Sequence, residues 1–377
     1  MTNVNENNEV EYYNVEEYYR LRQTNARIYV LNFERTMDQV FRGENDFLLG
    51  TTAIQLGIRN QDVEFLANDS GDVISFVQEG ELWSYDRINN TITQAFSFRN
   101  VEGMNSRENW NQHDIEVLRV DEAGSISFLV YGYMNRGIHE GEVGVAVYFY
   151  DTTQNTIEEQ IFIPYKKSAD ILMKELDNLN YLNVENHLFL ILEGGLYDIN
   201  LEEKNYDLVI SELTEDTYKV SESGRMISWL KENKPNASKS LYWMNLNDGK
   251  QQEIKAGYGE YISILGFIGE DLIYGLVDGD KIKTETNGNV LFPIHRLLIR
   301  NQDNKILKNY YKEGCYIVDC NIVDNQIALK RIQMSEEGDY RYIADDHIAS
   351  SDIQDKNVTK INTINHDVYK KTVQLIM

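Results

Sequence analysis

Apolar and aromatic residues alternate with polar ones over stretches of roughly five to nine residues along most of this chain, and the stretches end at Asn, Asp or Gly. That period of two predicts half-buried β-strands. Pairs of such strands flank tight turns: Val63–Ala67 and Val73–Val77, Ile115–Val120 and Ser125–Gly132, Tyr218–Val220 and Arg225–Leu230, Ile262–Ile268 and Leu272–Val277. A 3.6-residue period is convincing only from Ser168 to Leu179, where Ser168 is placed to cap a helix.

After each pair comes a recurring hairpin. An aromatic or apolar run ends in Asp or Asn and leads through a polar turn into another strand: Trp83-Ser-Tyr-Asp86, Tyr148-Phe-Tyr-Asp151, Tyr197-Asp-Ile-Asn200, Tyr242-Trp-Met-Asn245 and Leu297-Leu-Ile-Arg300, with Tyr29-Val-Leu-Asn32 upstream and a degenerate copy near Ser350 to Asp352. The copies lie roughly 45–65 residues apart, and four strands per unit at that spacing predict an all-β β-propeller. The count predicts seven blades. Eight remain open, because residues 43–61 are not placed by the repeat. Residues 10–42 are expected to form the outer part of one blade, closed by Val368 to Met377 so that N- and C-terminal strands pair and no sheet edge is left open. Residues 1–9 read as a polar leader or tether, and residues 10–377 as one propeller domain.

The hairpin Leu241-Tyr-Trp-Met-Asn-Leu-Asn-Asp-Gly-Lys-Gln-Gln-Glu-Ile resembles the repeats of TolB-like bacterial propellers, and the chain resembles WD-repeat-like propellers in architecture. The Gly-His and Trp-Asp pairs of WD repeats and the aspartate boxes of sialidases are absent, and the kelch-like Gly194-Gly195 does not recur. The resemblance implies a recognition scaffold, while function has to come from a site.

Composition narrows the partners. With 61 acidic and 36 basic residues in 377, the net charge of −25 argues against nucleic acid and against anionic lipid. A hydrophobic fraction of 42% is enough to build a large core. No run approaches the roughly 20 apolar residues of a membrane span, so direct membrane insertion is not expected. The two cysteines, Cys315 and Cys320, lie on one predicted strand, too far apart for a disulfide and matching no zinc signature, so they read as inert thiols. Trp83, Trp229 and Trp243 read as core. The pairs Glu336-Glu337 and Asp345-Asp346 read as solvated, and no calcium loop surrounds Asp278-Gly-Asp280.

Elaboration lies in one class of connection. Loops between the second and third strands of a blade, and between blades, are long: 99–113, 133–142, 165–180, 231–239, 278–295 and 334–342. Long loops usually carry function, so one face of the disc is expected to bind a ligand. The densest polar segments are Asn105 to His113, with Arg107, Trp110 and His113, and Tyr131 to Glu142, with Tyr133, Asn135, Arg136, His139, Glu140 and Glu142. Arginine beside aromatic and carboxylate groups suits a peptide, a carboxylate or a sugar. The competing structural reading makes His139 and Glu140 a solvated hairpin tip and Trp110 a cap on the disc. Gly-x-Ser-x-Gly and His-Glu-x-x-His are both missing. The expected function is therefore non-catalytic recognition of a protein, peptide or glycan ligand by a monomer, with no cofactor and no metal. The expected location is extracytoplasmic or at the bacterial cell surface, through a membrane anchor outside this chain, with the cytoplasm as the alternative. The rival function is a glycan- or peptide-processing enzyme with its acid and base in the same loops.

Overall fold

The computed structural model describes residues 1–4, 8, 10–43, 47–49, 52–59, 61–99, 107, 110, 112–284, 288, 290–323, 326–335, 339–349, 359–364 and 371–377. The chain divides into two compact units, one made of Met1–Leu172 with Lys356–Met377 and the other of Met173–Asp355. Both are built from antiparallel sheets. Among the described residues the only α-helix is Ala169–Leu176, which starts where the helical period predicts. The Ser168 carbonyl accepts the amides of Ile171 and Leu172 at its first turn.

In the first unit, His113–Val120, Ile126–Tyr133, Val143–Asp151 and Thr156–Pro164 form a four-stranded sheet in which each strand pairs with its neighbour in sequence. Phe65–Ala67, Val73–Gln78, Glu81–Asp86 and Thr91–Phe96 form a second sheet of the same kind. These are the four-stranded meanders from which propeller blades are made. The recurring Asp or Asn makes their turns. Asp151 Oδ1 accepts the amides of Thr153 and Gln154 at 2.8 and 3.0 Å, and Tyr150 donates its hydroxyl to Asn155, which turns the chain at φ +53°. Asp86, Tyr85 and Asn90 repeat this arrangement. The sequence repeat thus records a side chain that closes the turn locally. Phe96, Phe128 and Tyr148 form the aromatic centre of the unit's core, with Phe128 stacked on Tyr148 at 5.6 Å.

Two expectations about this unit are corrected. Val10–Gln23 and Ile28–Gln39 are not the outer part of a blade. They form one long hairpin whose ladder partner among the described strands is Thr2–Val4, joined at its base by the Gln39 amide to the Ile58 carbonyl, and the bands carrying Tyr19, Phe33, Leu21 and Val30 are exposed. Thr2–Val4 pairs with Val10–Tyr12, so that part of the leader is a strand. The last strand, Thr372–Ile376, does pair with an early one, but its partner is Ala53–Gly57, from the stretch the repeat left unplaced. Lys360–Ile364 and Leu48–Leu49 complete that sheet. Residues 368–370 and the hairpin copy at 350–352 lie outside the described residues.

The second unit holds two more four-stranded meanders: Asn180–Leu182, His187–Leu192, Gly195–Asn200 and Asn205–Ile210, then Tyr218–Val220, Met226–Leu230, Ser240–Asn245 and Gln251–Lys255. The next four strands are Glu260–Ile268, Asp271–Asp278, Ile294–Arg300 and Ile306–Tyr311. They continue through the single pair Ile294–Ile317 into Cys315–Val323, Gln326–Met334 and Tyr340–Ala349, giving one seven-stranded sheet. Trp83, Trp229 and Trp243 are buried as expected. Cys315 and Cys320 are free and share a strand.

Asp346 departs from the solvated reading. It accepts hydrogen bonds from Lys312, Tyr310 and Arg331 at 2.6, 2.8 and 3.0 Å, and these donors hold its carboxyl well below the usual carboxylate range. Glu336-Glu337 lies outside the described residues. Among the described residues no helix is long and apolar enough to cross a membrane.

Candidate binding cavity

The loop after Tyr133 is shaped by backbone hydrogen bonds and two glycines. Met134 receives its partner from the far side of the loop, donating its amide to Glu142 at 2.9 Å, while Gly141 donates to Met134 at 2.9 Å. Gly137 and Gly141 adopt φ of +94° and +93°, which side chains rarely tolerate. Met134 is buried in the core of the unit, so the loop stands on a fixed base.

The incoming loop before His113 is tied to the same base. Tyr133 donates its amide to the Gln112 carbonyl at 2.7 Å, and the buried Asn135 donates its Nδ2 to the Trp110 carbonyl at 2.8 Å. Gly132, at φ +112°, lets the two chains approach, because a Cβ there would stand 2.3 Å from the Gln112 oxygen. Of this loop, residues 100–106, 108, 109 and 111 lie outside the described residues, whereas Arg107 and Trp110 are described.

Arg107, Trp110, Tyr133, Asn135, Glu140 and Gly141 line a cavity of about 580 Å³. That volume suits a small ligand or one or two residues of a larger one. Glu140 sits between two guanidiniums: Arg107 Nη1 is 3.1 Å from its Oε1, and Arg136 Nη1 is 3.6 Å from its Oε2. Arg107 is 72% exposed at its side chain and Trp110 is 57% exposed. Glu140 thus meets one arginine from the loop before His113 and one from its own loop.

The two histidines singled out in the sequence are directed elsewhere. His113 opens its strand buried, with Nε2 3.2 Å from the Gly80 carbonyl and its ring edge-on to Phe98. Burial pushes its imidazole below the usual value. His139 stacks on Phe162 with ring centres 3.7 Å apart, and its Nε2 lies 3.0 Å from Glu159 Oε1. Glu159 also accepts the Tyr148 hydroxyl. Both histidines therefore support the sheet and leave the cavity to Arg107, Trp110, Tyr133, Asn135 and Glu140, with Arg136 behind Glu140.

One constellation went unread in the sequence. In the second unit, Glu260, Asp278 and His295 bring potential metal-ligand atoms within 4.8 Å of one another. They are spread over 35 positions with no motif spacing, and only the strand register unites them.

No family model and no curated protein matches the chain. Among solved structures, Porphyromonas gingivalis dipeptidyl peptidase 4 is 9% identical at a TM-score of 0.31, over 81% of this chain and 55% of that one. The tricorn protease is 11% identical at a TM-score of 0.33, over 83% of this chain and 37% of that one. The chain thus spans about half or less of the length of these structures.

Proposed function

We propose that this chain is a recognition module of propeller type, working outside the bacterial membrane, that binds a peptide segment of a partner protein through the Arg107–Trp110–Glu140 cavity. The observation that carries this reading is the exposed Arg107 guanidinium, held by Glu140 beside an exposed indole in a cavity with a rigid floor. A peptide carboxylate can pair with the exposed Arg107 guanidinium, while Trp110 and Tyr133 cover its apolar neighbour. Binding rather than turnover is favoured by the chemistry of the lining. Glu140 is the sole carboxylate among the described lining residues and is engaged by two arginines, whereas acid–base hydrolysis uses two groups with separate roles. Neither His113 nor His139 is among its described lining residues.

The test is a peptide array read with the purified chain, followed by titration of the best peptide with a free or an amidated carboxylate. Arg107→Ala and Trp110→Ala should each weaken binding at least about tenfold, as expected for central anchors. Binding unchanged in both variants, or cleavage of the bound peptide, sinks the reading.

A further inference from the structure

We propose that Glu260, Asp278 and His295 form a binding site for a divalent first-row transition ion, with zinc as its representative. The first argument is electrostatic. Glu260 opens one strand and Asp278 closes the next, and the two are direct cross-strand partners. Their side chains leave the same face of the sheet, an arrangement of like charges that destabilises a strand pair unless something positive lies between them. Among the described residues no lysine or arginine forms an ion pair with either carboxylate, and the imidazole of His295 lies 3.2 Å from Glu260. Asp278 precedes the short helical turn Gly279–Lys281 but makes no capping bond to it, so its carboxylate is not used to finish the turn.

The second argument is the placement of His295. The register of its strand against Asp271–Asp278 runs Arg296 to Leu276 and then Ile294 to Val277, which skips His295. His295 is thus the extra residue of a β-bulge, a device that re-aims one side chain at the cost of local pairing. The imidazole at the bulge, its side chain 13% exposed, directs Nε2 to Glu260.

The supporting groups fit a metal site. Glu260 Oε2 accepts the Gly257 amide at 2.8 Å, which fixes the carboxylate with Oε1 towards the histidine. Gly279 donates to the Gly259 carbonyl at 2.9 Å, so the two turns that carry the acids are tied together. A tetrahedral zinc ion needs ligand atoms roughly 3.4 Å apart, so donors already within 4.8 Å need only a small closure. One nitrogen and two oxygens from the protein would leave a fourth tetrahedral position for water. Such a donor set suits zinc or manganese better than calcium, which takes six to eight oxygens.

The test uses the full chain, stripped with a chelator and titrated with zinc against a chromophoric competitor. The result expected is one saturable zinc per chain, with a weaker response to calcium. Asp278→Asn and His295→Gln should each lower zinc affinity at least about tenfold. Asp278→Asn is the decisive variant because that side chain takes no part in the Glu260–His295 pair and its neutralisation only relieves repulsion from Glu260, so the metal-free variant should melt at or above the wild type. Absence of saturable zinc binding, an equal or stronger response to calcium, or a loss smaller than tenfold in either variant overturns the proposal.

Discussion

Arg107 and Glu140 are 33 residues apart in the chain, yet Arg107 Nη1 stands 3.1 Å from Glu140 Oε1, bridging the loop that enters one sheet and the loop inside it. Because the arginine side chain is 72% exposed, water competes for both charges and the pair adds little to stability. Arg107→Ala should leave unfolding free energy within about 0.5 kcal/mol of wild type in urea while peptide binding falls. A loss above about 1 kcal/mol would mean that the pair is needed to hold the loops, and that its role is architectural.

Gly132 is the hinge of that architecture. At φ +112°, with the Gln112 oxygen 2.3 Å from where a Cβ would stand, alanine meets both backbone strain and a collision with main chain that cannot swing aside. Gly132→Ala should cost at least about 1–3 kcal/mol and also weaken ligand binding by displacing Trp110. Gly137 has φ +94° but open space around it, so Gly137→Ala should cost less, about 1 kcal/mol, from strain alone. Equal losses in the two variants, measured by urea unfolding, would remove the collision from the explanation.

These contrasts show where the sequence is readable. Asp151 and Asn155 shape a turn by contacts within a few residues, so the hairpin repeat, its strands and the long loops are visible in the order of residues. Tyr29-Val-Leu-Asn32 shares that local pattern, yet it lies in a projecting hairpin, because alternation specifies a strand and not what its apolar face meets. The pairing of Gln374 with Gln55 and the meeting of Glu260 with His295 depend on register between distant segments, which no window of sequence encodes. His113 looked like a ligand-binding residue because it closes a polar loop; it is also the first residue of a strand, and its side chain turns inward.

Glu64 gives the chain a pH-dependent component near neutrality. Burial, with Glu116 and then Asp114 nearby, pushes its carboxyl up to about 7, opposed only by a hydrogen bond from the Val117 amide. The folded state therefore holds this proton more tightly than the unfolded chain does. Its stabilising effect is full below the ordinary value of 4.5 and is lost as pH rises through about 7. Glu64→Gln removes the titration and keeps an acceptor for Val117. The variant should melt above the wild type near pH 8, and the gap should close as pH falls below the ordinary carboxylate value. A gap that stays constant across that range would show that Glu64 does not titrate in the folded protein.

Cys320 offers a direct check on the seven-stranded sheet. Its strand pairs residue by residue with Gln326–Met334, and burial together with the Asp319 charge pushes the thiol up to about 12. Alkylation proceeds through the thiolate, so a thiol held protonated and covered by a neighbouring strand reacts slowly. In a Cys315→Ser background, iodoacetamide near pH 8 should label Cys320 at least about a hundredfold more slowly in the folded chain than in urea. Mass spectrometry of timed samples reads both rates. Labelling at the unfolded rate would mean that Cys315–Val323 opens readily, as the single pair Ile294–Ile317 joining it to Ile294–Arg300 would then allow.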